Sequence, residues 1–110
     1  MSNVITLFRN EPIYDYRALV DCLGALCGGS IVSVVPVSNN GLVVCMEQYY
    51  FRNDSYASIT MVFENFNDGN RATIVGFGGG DGVLNFSFGA NYDYAFGAAN
   101  VLRSRYGYYN

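Results

Sequence analysis

The sequence is 110 residues long, 51% of them hydrophobic and 14% charged, and it carries a net charge of −3. This length suits a single domain spanning residues 1–110, and the composition excludes a disordered chain. All six cations are arginines and histidine is absent, which excludes imidazole-based triads, lysine Schiff bases and the lysine of a Walker-type phosphate loop.

The first elements predicted from the pattern are a short strand near the N-terminus and an amphipathic helix. Asn10 or Glu11 is the expected cap of this helix, with Pro12 in its first turn. Apolar side chains then recur at three- and four-residue spacing, which is typical of a helix with one buried face. The pair Gly28-Gly29 is expected to end it.

Four β-rich segments joined by short polar turns follow, at residues 31–37, 42–51, 56–66 and 71–77. The turns are too short for parallel crossovers, so neighbouring strands must be antiparallel. In the third segment every second residue is apolar, which indicates a sheet with one buried face.

The last elements predicted are a short strand at 83–88 and a second helix that Asn91 caps and Gly107 ends. The small side chains at 97–99 predict close packing of this helix. The element order predicts an α+β fold, a two-layer sandwich. Its antiparallel β-meander has five to six strands, with two helices, near the N-terminus and at the C-terminus, on one face.

The composition also limits the partners that we expect. A negative charge opposes nucleic-acid binding, whose affinity comes largely from neutralised phosphates. No apolar run reaches the roughly 18–20 residues of a membrane helix, and the N-terminal MSNVITLFRN lacks the features of a signal peptide. We therefore expect a cytoplasmic protein that binds neither nucleic acid nor membrane and holds no cofactor or metal.

The stretch GFGGGDG at residues 76–82 is either an anion-binding loop or a bend. Neither dinucleotide nor Walker phosphate motifs fit it, and Asp81 places a negative charge where a phosphate would lie. A bend or glycine bulge is the favoured interpretation. Asp81 and Asp93 flank the next predicted strand, and the two carboxylates together could bind a cation. Carboxylates of this kind are more commonly solvated residues of turns and helix caps.

Three cysteines, Cys22, Cys27 and Cys45, form no CxxC pair and no zinc spacing. Each lies among apolar neighbours, which favours buried inert thiols over a redox or nucleophilic role.

Ten tyrosines exceed what a small core can hold with satisfied hydroxyls. They line an interface or occupy the sheet surface for their strand propensity, and the two explanations weigh equally. Residues 42–51 are apolar on both faces, so the sheet needs a partner on its second face, and we expect a homodimer. Alternatively, the chain's own tail, residues 106–110, covers the second face of this strand. The candidate interaction surface comprises Tyr49, Phe51, Tyr108 and Tyr109.

The stretch from Tyr49 to Tyr106 resembles a family of small, uncharacterised single-domain proteins of Gram-positive bacteria. The similarity lies in YYFRN, a hairpin made of SITMVFENF and RATIVGF, and above all GGGDGVLNFSFGAN. The resemblance implies a small α+β domain and supplies no activity. It implies structural roles only for the glycines Gly78, Gly79, Gly80, Gly82 and Gly89.

Two function classes remain from the sequence. One is a non-catalytic binding or protein-interaction module, favoured by the missing histidine and lysine, the low charge and the tyrosines. The alternative is a small enzyme that uses carboxylate, tyrosine or thiol chemistry at a pocket near the glycine-rich loop. A deep pocket that brings Asp81, Asp93 or Cys45 close to an arginine or tyrosine would favour the enzyme.

Overall fold

The computed structural model describes residues 3–38, 40–50, 55–78 and 85–110. These residues form five strands and two helices, in the order β1 (Asn3–Arg9), α1 (Tyr16–Leu26), β2 (Ser30–Val37), β3 (Gly41–Tyr50), β4 (Ser55–Phe66), β5 (Gly69–Gly78) and α2 (Asn85–Tyr106). Neighbouring strands are antiparallel, and their order across the sheet is β1-β5-β4-β3-β2. The predicted α+β sandwich with five strands is confirmed.

One face of the sheet is buried beneath both helices. The register places Leu42 opposite Phe63 and Phe63 opposite Ala72, and all three side chains are buried. The same core contains residues of both helices: Leu19, Leu23, Ala95, Ala98, Ala99 and Leu102. Since each fully buried large apolar side chain contributes about 1.5–3 kcal/mol, this layer is the main source of stability.

Helix α1 begins later than the sequence predicts. Asp15 is its N-cap, and the Asp15 carboxylate accepts a hydrogen bond from the backbone N–H of Ala18 at 3.0 Å. The prediction of a cap at Asn10 or Glu11 is therefore wrong. The reason is a tertiary contact, because the Asn65 side chain bonds both the N–H and the C=O of Ile13 and holds that residue outside the helix. The end predicted at Gly28-Gly29 is confirmed, since both glycines have positive φ.

Helix α2 begins earlier than the sequence predicts. Residues from Asn85 onward are helical, so the strand predicted over 83–88 is wrong over 85–88, and the cap predicted at Asn91 is wrong. Residues 83 and 84 lie outside the described residues. The run LNFSF alternates polar and apolar side chains over too few residues to separate the strand period from the helix period. Gly89 accordingly lies inside the helix and does not open it.

Only some of the small residues at 97–99 of α2 pack closely against the rest of the protein. Ala98 and Ala99 are fully buried, as predicted. Gly97 is exposed, and a Cβ added there would have no atom within 4 Å. The prediction of close packing is therefore wrong at this position.

Gly97→Ala is expected to stabilise the protein by about 1 kcal/mol, because glycine costs that much in an unhindered helix interior. A thermal melt checks the change, and a lower melting temperature would contradict it. Gly29→Ala is the control of opposite sign, since Gly29 has a φ of 73° and its added Cβ would collide with the backbone oxygen of Glu47.

A buried polar cluster joins the start of α1 and the C-terminal tail to the β4–β5 hairpin. The Asn70 side chain, 1% exposed, donates to the Tyr16 hydroxyl at 3.0 Å and to Asn65 Oδ1 at 2.8 Å. It accepts from the Tyr108 hydroxyl at 2.6 Å. Burial raises the pKa of Tyr108 well above its usual range. All these bonds lie on the helix-covered side, so the cluster leaves the other face of the sheet free.

Candidate interaction surface

The second face of the sheet, called here the open face, carries a row of side chains that crosses all five strands. Val62 at its centre pairs with Val43 on one side and Thr73 on the other. Val35 and Thr6 continue the row to the two edges. None of these five side chains is buried. The row is therefore apolar or β-branched throughout, and it faces outward.

A second row runs parallel to the first and has the same character. It consists of Val4, Val75, Thr60, Cys45 and Ser33. Each of these side chains is also at least partly exposed. In the part of the chain that the structure describes, both helices lie on the opposite face, so the two rows form the centre of an uncovered surface.

Aromatic side chains border both ends of the open face. Tyr49 and Tyr56 lie opposite each other on β3 and β4 with ring centroids 5.1 Å apart, and both are exposed. At the other end Phe66 is 48% exposed and lies beneath the Arg71 guanidinium, 5.2 Å from ring centroid to Cζ. Exposed aromatic rings with polar tips or cationic neighbours are typical of protein interfaces.

The charges on the open face largely cancel. Arg71 Nη2 lies 2.9 Å from Glu64 Oε1, with both side chains about two-fifths exposed, 39% and 40%. An ion pair this exposed contributes little to stability, about 0–1 kcal/mol. It does reduce the cost of covering the surface, because neither charge has to lose its partner. Glu47 is the other charged residue on the described part of this face.

The residues predicted for the interaction surface do not all lie together. Tyr49 is on the open face, and Tyr109 lies at its rim, where its ring is 6.4 Å from that of Phe8. Tyr108 lies on the opposite side, 3% exposed and bonded to Asn70. Phe51 is outside the described residues. The structure therefore brings Tyr49 into one surface with valines and threonines that the tyrosine-based prediction did not include.

The C-terminal tail does not cover the centre of the open face. Gly107, with a φ of 72°, turns the chain after α2, and Tyr109 then pairs with Phe8 at the edge of β1. Two backbone hydrogen bonds of 2.7 and 2.8 Å join Tyr109 and Phe8. The tail thus pairs with the end of the β1 edge at Phe8, and the alternative in which it covers the second face of β3 is wrong.

The glycine loop cannot be assigned a ligand from its surroundings. Gly78 is the last residue of β5, Gly89 lies within α2, and Gly79, Gly80 and Gly82 are outside the described residues. Asp81 is also outside them, while Asp93 is exposed on α2. Both the bend and the carboxylate pair stay predictions. Among the described residues no group of three or more Cys, Asp or Glu is placed to hold a metal ion.

Cys27 and Cys45 lie in different surroundings, Cys27 after the end of α1 and Cys45 on the open face. Burial raises the pKa of the Cys27 thiol to about 11, so it is almost wholly protonated at neutral pH. The Cys45 sulfur lies 3.8 Å from the Thr60 hydroxyl on the open face. A cleft of about 830 Å³ between the two hairpin turns contains neither Cys45 nor Asp93.

Comparison with known proteins adds no relative. No family model, no curated protein and no solved structure matches the chain. The resemblance to a Gram-positive family therefore stays a prediction. Over the residues that the structure describes, neither helix has the length and apolar character required to cross a membrane.

Proposed function

We propose that this chain is a non-catalytic protein-interaction module whose open face binds the open face of a second copy. The observation that carries the proposal is the row from Thr6 to Val35, which crosses the whole sheet without a buried side chain. The opposite face carries the buried core over β1, β3, β4 and β5 and leaves Val34 and Pro36 of β2 exposed. A sheet with two apolar faces and one layer of helices is half of a sandwich.

The area of the open face fits this partner. Five strands spaced by about 4.8 Å, each presenting roughly seven residues of about 3.3 Å, give a face of about 500 Å². Two such faces together bury about 1,000 Å², the lower bound for a specific interface. The apolar and β-branched centre of this face is a patch of the kind that marks interaction sites on soluble proteins. Valine and threonine side chains on opposed sheets interdigitate as they do inside a β-sandwich.

The charge distribution favours a second copy over a charged partner. Glu64 and Arg71 already neutralise each other, and the rest of the face offers little net charge to attract nucleic acid or a strongly charged peptide. In a two-fold contact the same patch of both copies meets, so the patch has to be complementary to itself. An apolar, nearly neutral patch meets this requirement because it places no like charges opposite each other.

Val62→Asp is expected to split the assembly, because it places an unpaired carboxylate at the centre of the contact. Light scattering after size exclusion measures the mass. The unmodified chain, with a chain mass of 12.1 kDa, is expected at twice that mass or more. Val62→Asp is expected to reduce the measured mass by half, with an unchanged circular dichroism spectrum because Val62 is not part of the buried core.

Phe96→Asp is the matched control. Phe96 is an exposed aromatic residue on α2, where it stacks on Tyr92 with ring centroids 5.9 Å apart. It lies outside the open face, so its replacement is expected to leave the mass unchanged. A monomeric unmodified chain, or a Val62→Asp variant with the mass of the unmodified chain, would contradict the proposal.

A further inference from the structure

The two edges of the sheet differ in how they end. At the β1 edge the chain's own Tyr109 pairs with Phe8, as described above. The other edge is β2, Ser30–Val37, with the sequence SIVSVVPV and no charged residue. Seven of its eight residues are exposed. Edge strands that remain free normally carry charges, since an uncharged edge is a template for pairing with another strand.

The backbone of β2 offers its hydrogen-bonding groups in a short central segment. Pro36 lacks an N–H, so in a paired strand its nitrogen faces away from β3. Directions alternate along a strand, so Val34 also turns its N–H and C=O toward the outer edge. The register shift between Ile31 and Ser33 precedes this segment. The free edge is therefore centred on Val34, close to the middle of the strand.

A groove on the helix-covered side runs beside the same point. It has a volume of about 270 Å³ and is lined by Tyr16, Arg17, Val20, Asp21, Val34 and Leu42. Helix α1 runs antiparallel to β2, because its start lies beside Val34 and Gly24 lies beside Ile31. Arg17 and Asp21 thus flank the centre of the free edge.

Arg17 and Asp21 are exposed charges of opposite sign on the rim of this groove. The ion pairs formed between described residues are Arg9–Glu11 and Arg71–Glu64. Neither Arg17 nor Asp21 therefore has a charged partner within that part of the chain. One turn of helix separates them, so a two-fold axis level with the midpoint between them would place Arg17 of each copy opposite Asp21 of the other.

We propose that β2 pairs antiparallel with β2 of a second copy about a two-fold axis near Val34, so that Arg17 of each copy binds Asp21 of the other. The occupant is a second copy because the rim is self-complementary in charge. Pro36 and the bulge keep the strand pairing short, and the two merged grooves supply the remaining contact. A two-fold contact uses the β2 edge of both copies, so the pairing gives a sheet of ten strands that ends at β1 on each side.

This contact is separate from the open face and goes beyond the function proposed above. Its axis is perpendicular to the sheet, whereas the axis of the face contact lies parallel to the sheet. Two perpendicular two-fold axes that intersect, as they do when the axis of the face contact runs along the row from Thr6 to Val35, assemble four chains. The unmodified chain is then expected at four times its chain mass.

Charge exchange at the rim tests the pairing. Arg17→Asp and Asp21→Arg, each alone, place like charges opposite each other across the axis, and each is expected to halve the mass measured by light scattering. The double variant Arg17→Asp/Asp21→Arg restores both pairs and is expected to recover the unmodified mass. Both positions are exposed on α1, so we expect the single variants to remain folded. Their melting temperatures check this.

The outcomes separate the two contacts. If the unmodified chain has twice its chain mass, Val62→Asp makes it a monomer and the charge variants leave it unchanged, the β2 pairing is overturned and the open face stands. Suppose that the single charge variants are monomers, that the double variant recovers the dimer mass and that Val62→Asp leaves the mass unchanged. The β2 pairing then stands and the open-face proposal fails. A monomeric unmodified chain overturns both contacts. If the double variant has a lower mass than the unmodified chain, the β2 pairing alone is overturned.

Discussion

Phe63→Ala is expected to destabilise the protein by about 3–5 kcal/mol, the range measured for removal of a buried phenylalanine. Phe63 is fully buried, lies opposite Leu42 and Ala72 in the register, and its ring centroid is 6.1 Å from that of Tyr16. Its truncation leaves a cavity where α1 meets the sheet. Since a domain of this size is stable by only about 5–15 kcal/mol, the variant is expected to be marginally folded. Urea unfolding at 25 °C measures the change.

Phe66→Ala is the matched control for this experiment. Phe66 lies three residues further along β4 and projects from the open face. In the single chain it contacts Arg71 and little else, so at a protein concentration where the chain is monomeric the expected change is below about 1 kcal/mol. Equal effects of the two alanine variants would contradict the assignment of one buried and one open face.

Asn70→Ala is expected to destabilise the protein by about 3 kcal/mol. The substitution removes the three hydrogen bonds of the buried Asn70 side chain, and it leaves the buried Tyr108 hydroxyl without its acceptor. An unsatisfied buried polar group costs about 1–3 kcal/mol in addition to the lost bonds. The midpoint of urea unfolding measures the change.

Asn100→Ala serves as the comparison, because Asn100 is exposed on α2 and accepts one hydrogen bond from Arg103. It is expected to change stability by less than about 0.5 kcal/mol. If Asn70→Ala is equally mild, the polar cluster does not fasten the chain ends, and the account of how Tyr108 and the tail are held is wrong.

The fold followed from the sequence where a single pattern dominated. The alternation of β4, from Ala57 to Phe63, identified the buried face of the sheet, and the short turns required antiparallel neighbours. The errors lie at element ends. Local signals favoured a cap at Asn10 or Glu11, but the side chain of Asn65, 52 residues from Ile13, holds that segment away from the helix. No local pattern contains a contact of that separation.

The candidate surface was predicted only in part, and for a related reason. Tyrosine content drew attention to Tyr49 and Tyr109, whereas the centre of the open face consists of Val62, Val43 and Thr73. A signal for these residues existed, because Val62 lies on the face of β4 opposite Phe63. The position of Tyr108 followed no such rule, since its burial depends on Asn70, which lies 38 residues earlier.

The reactivity of Cys45 tests the central claim most directly, because this thiol lies on the open face between Ser33 and Thr60. Alkylation rates can be read separately for each cysteine by peptide mass spectrometry. If a second copy covers the face, Cys45 of the unmodified chain reacts at least about tenfold more slowly than Cys45 of Val62→Asp at the same concentration, as expected for a site occupied more than nine-tenths of the time. Cys27, on the other side of the sheet, reacts at the same rate in both. Equal Cys45 rates in the two proteins would show that the open face is not covered by a second copy and would contradict the account.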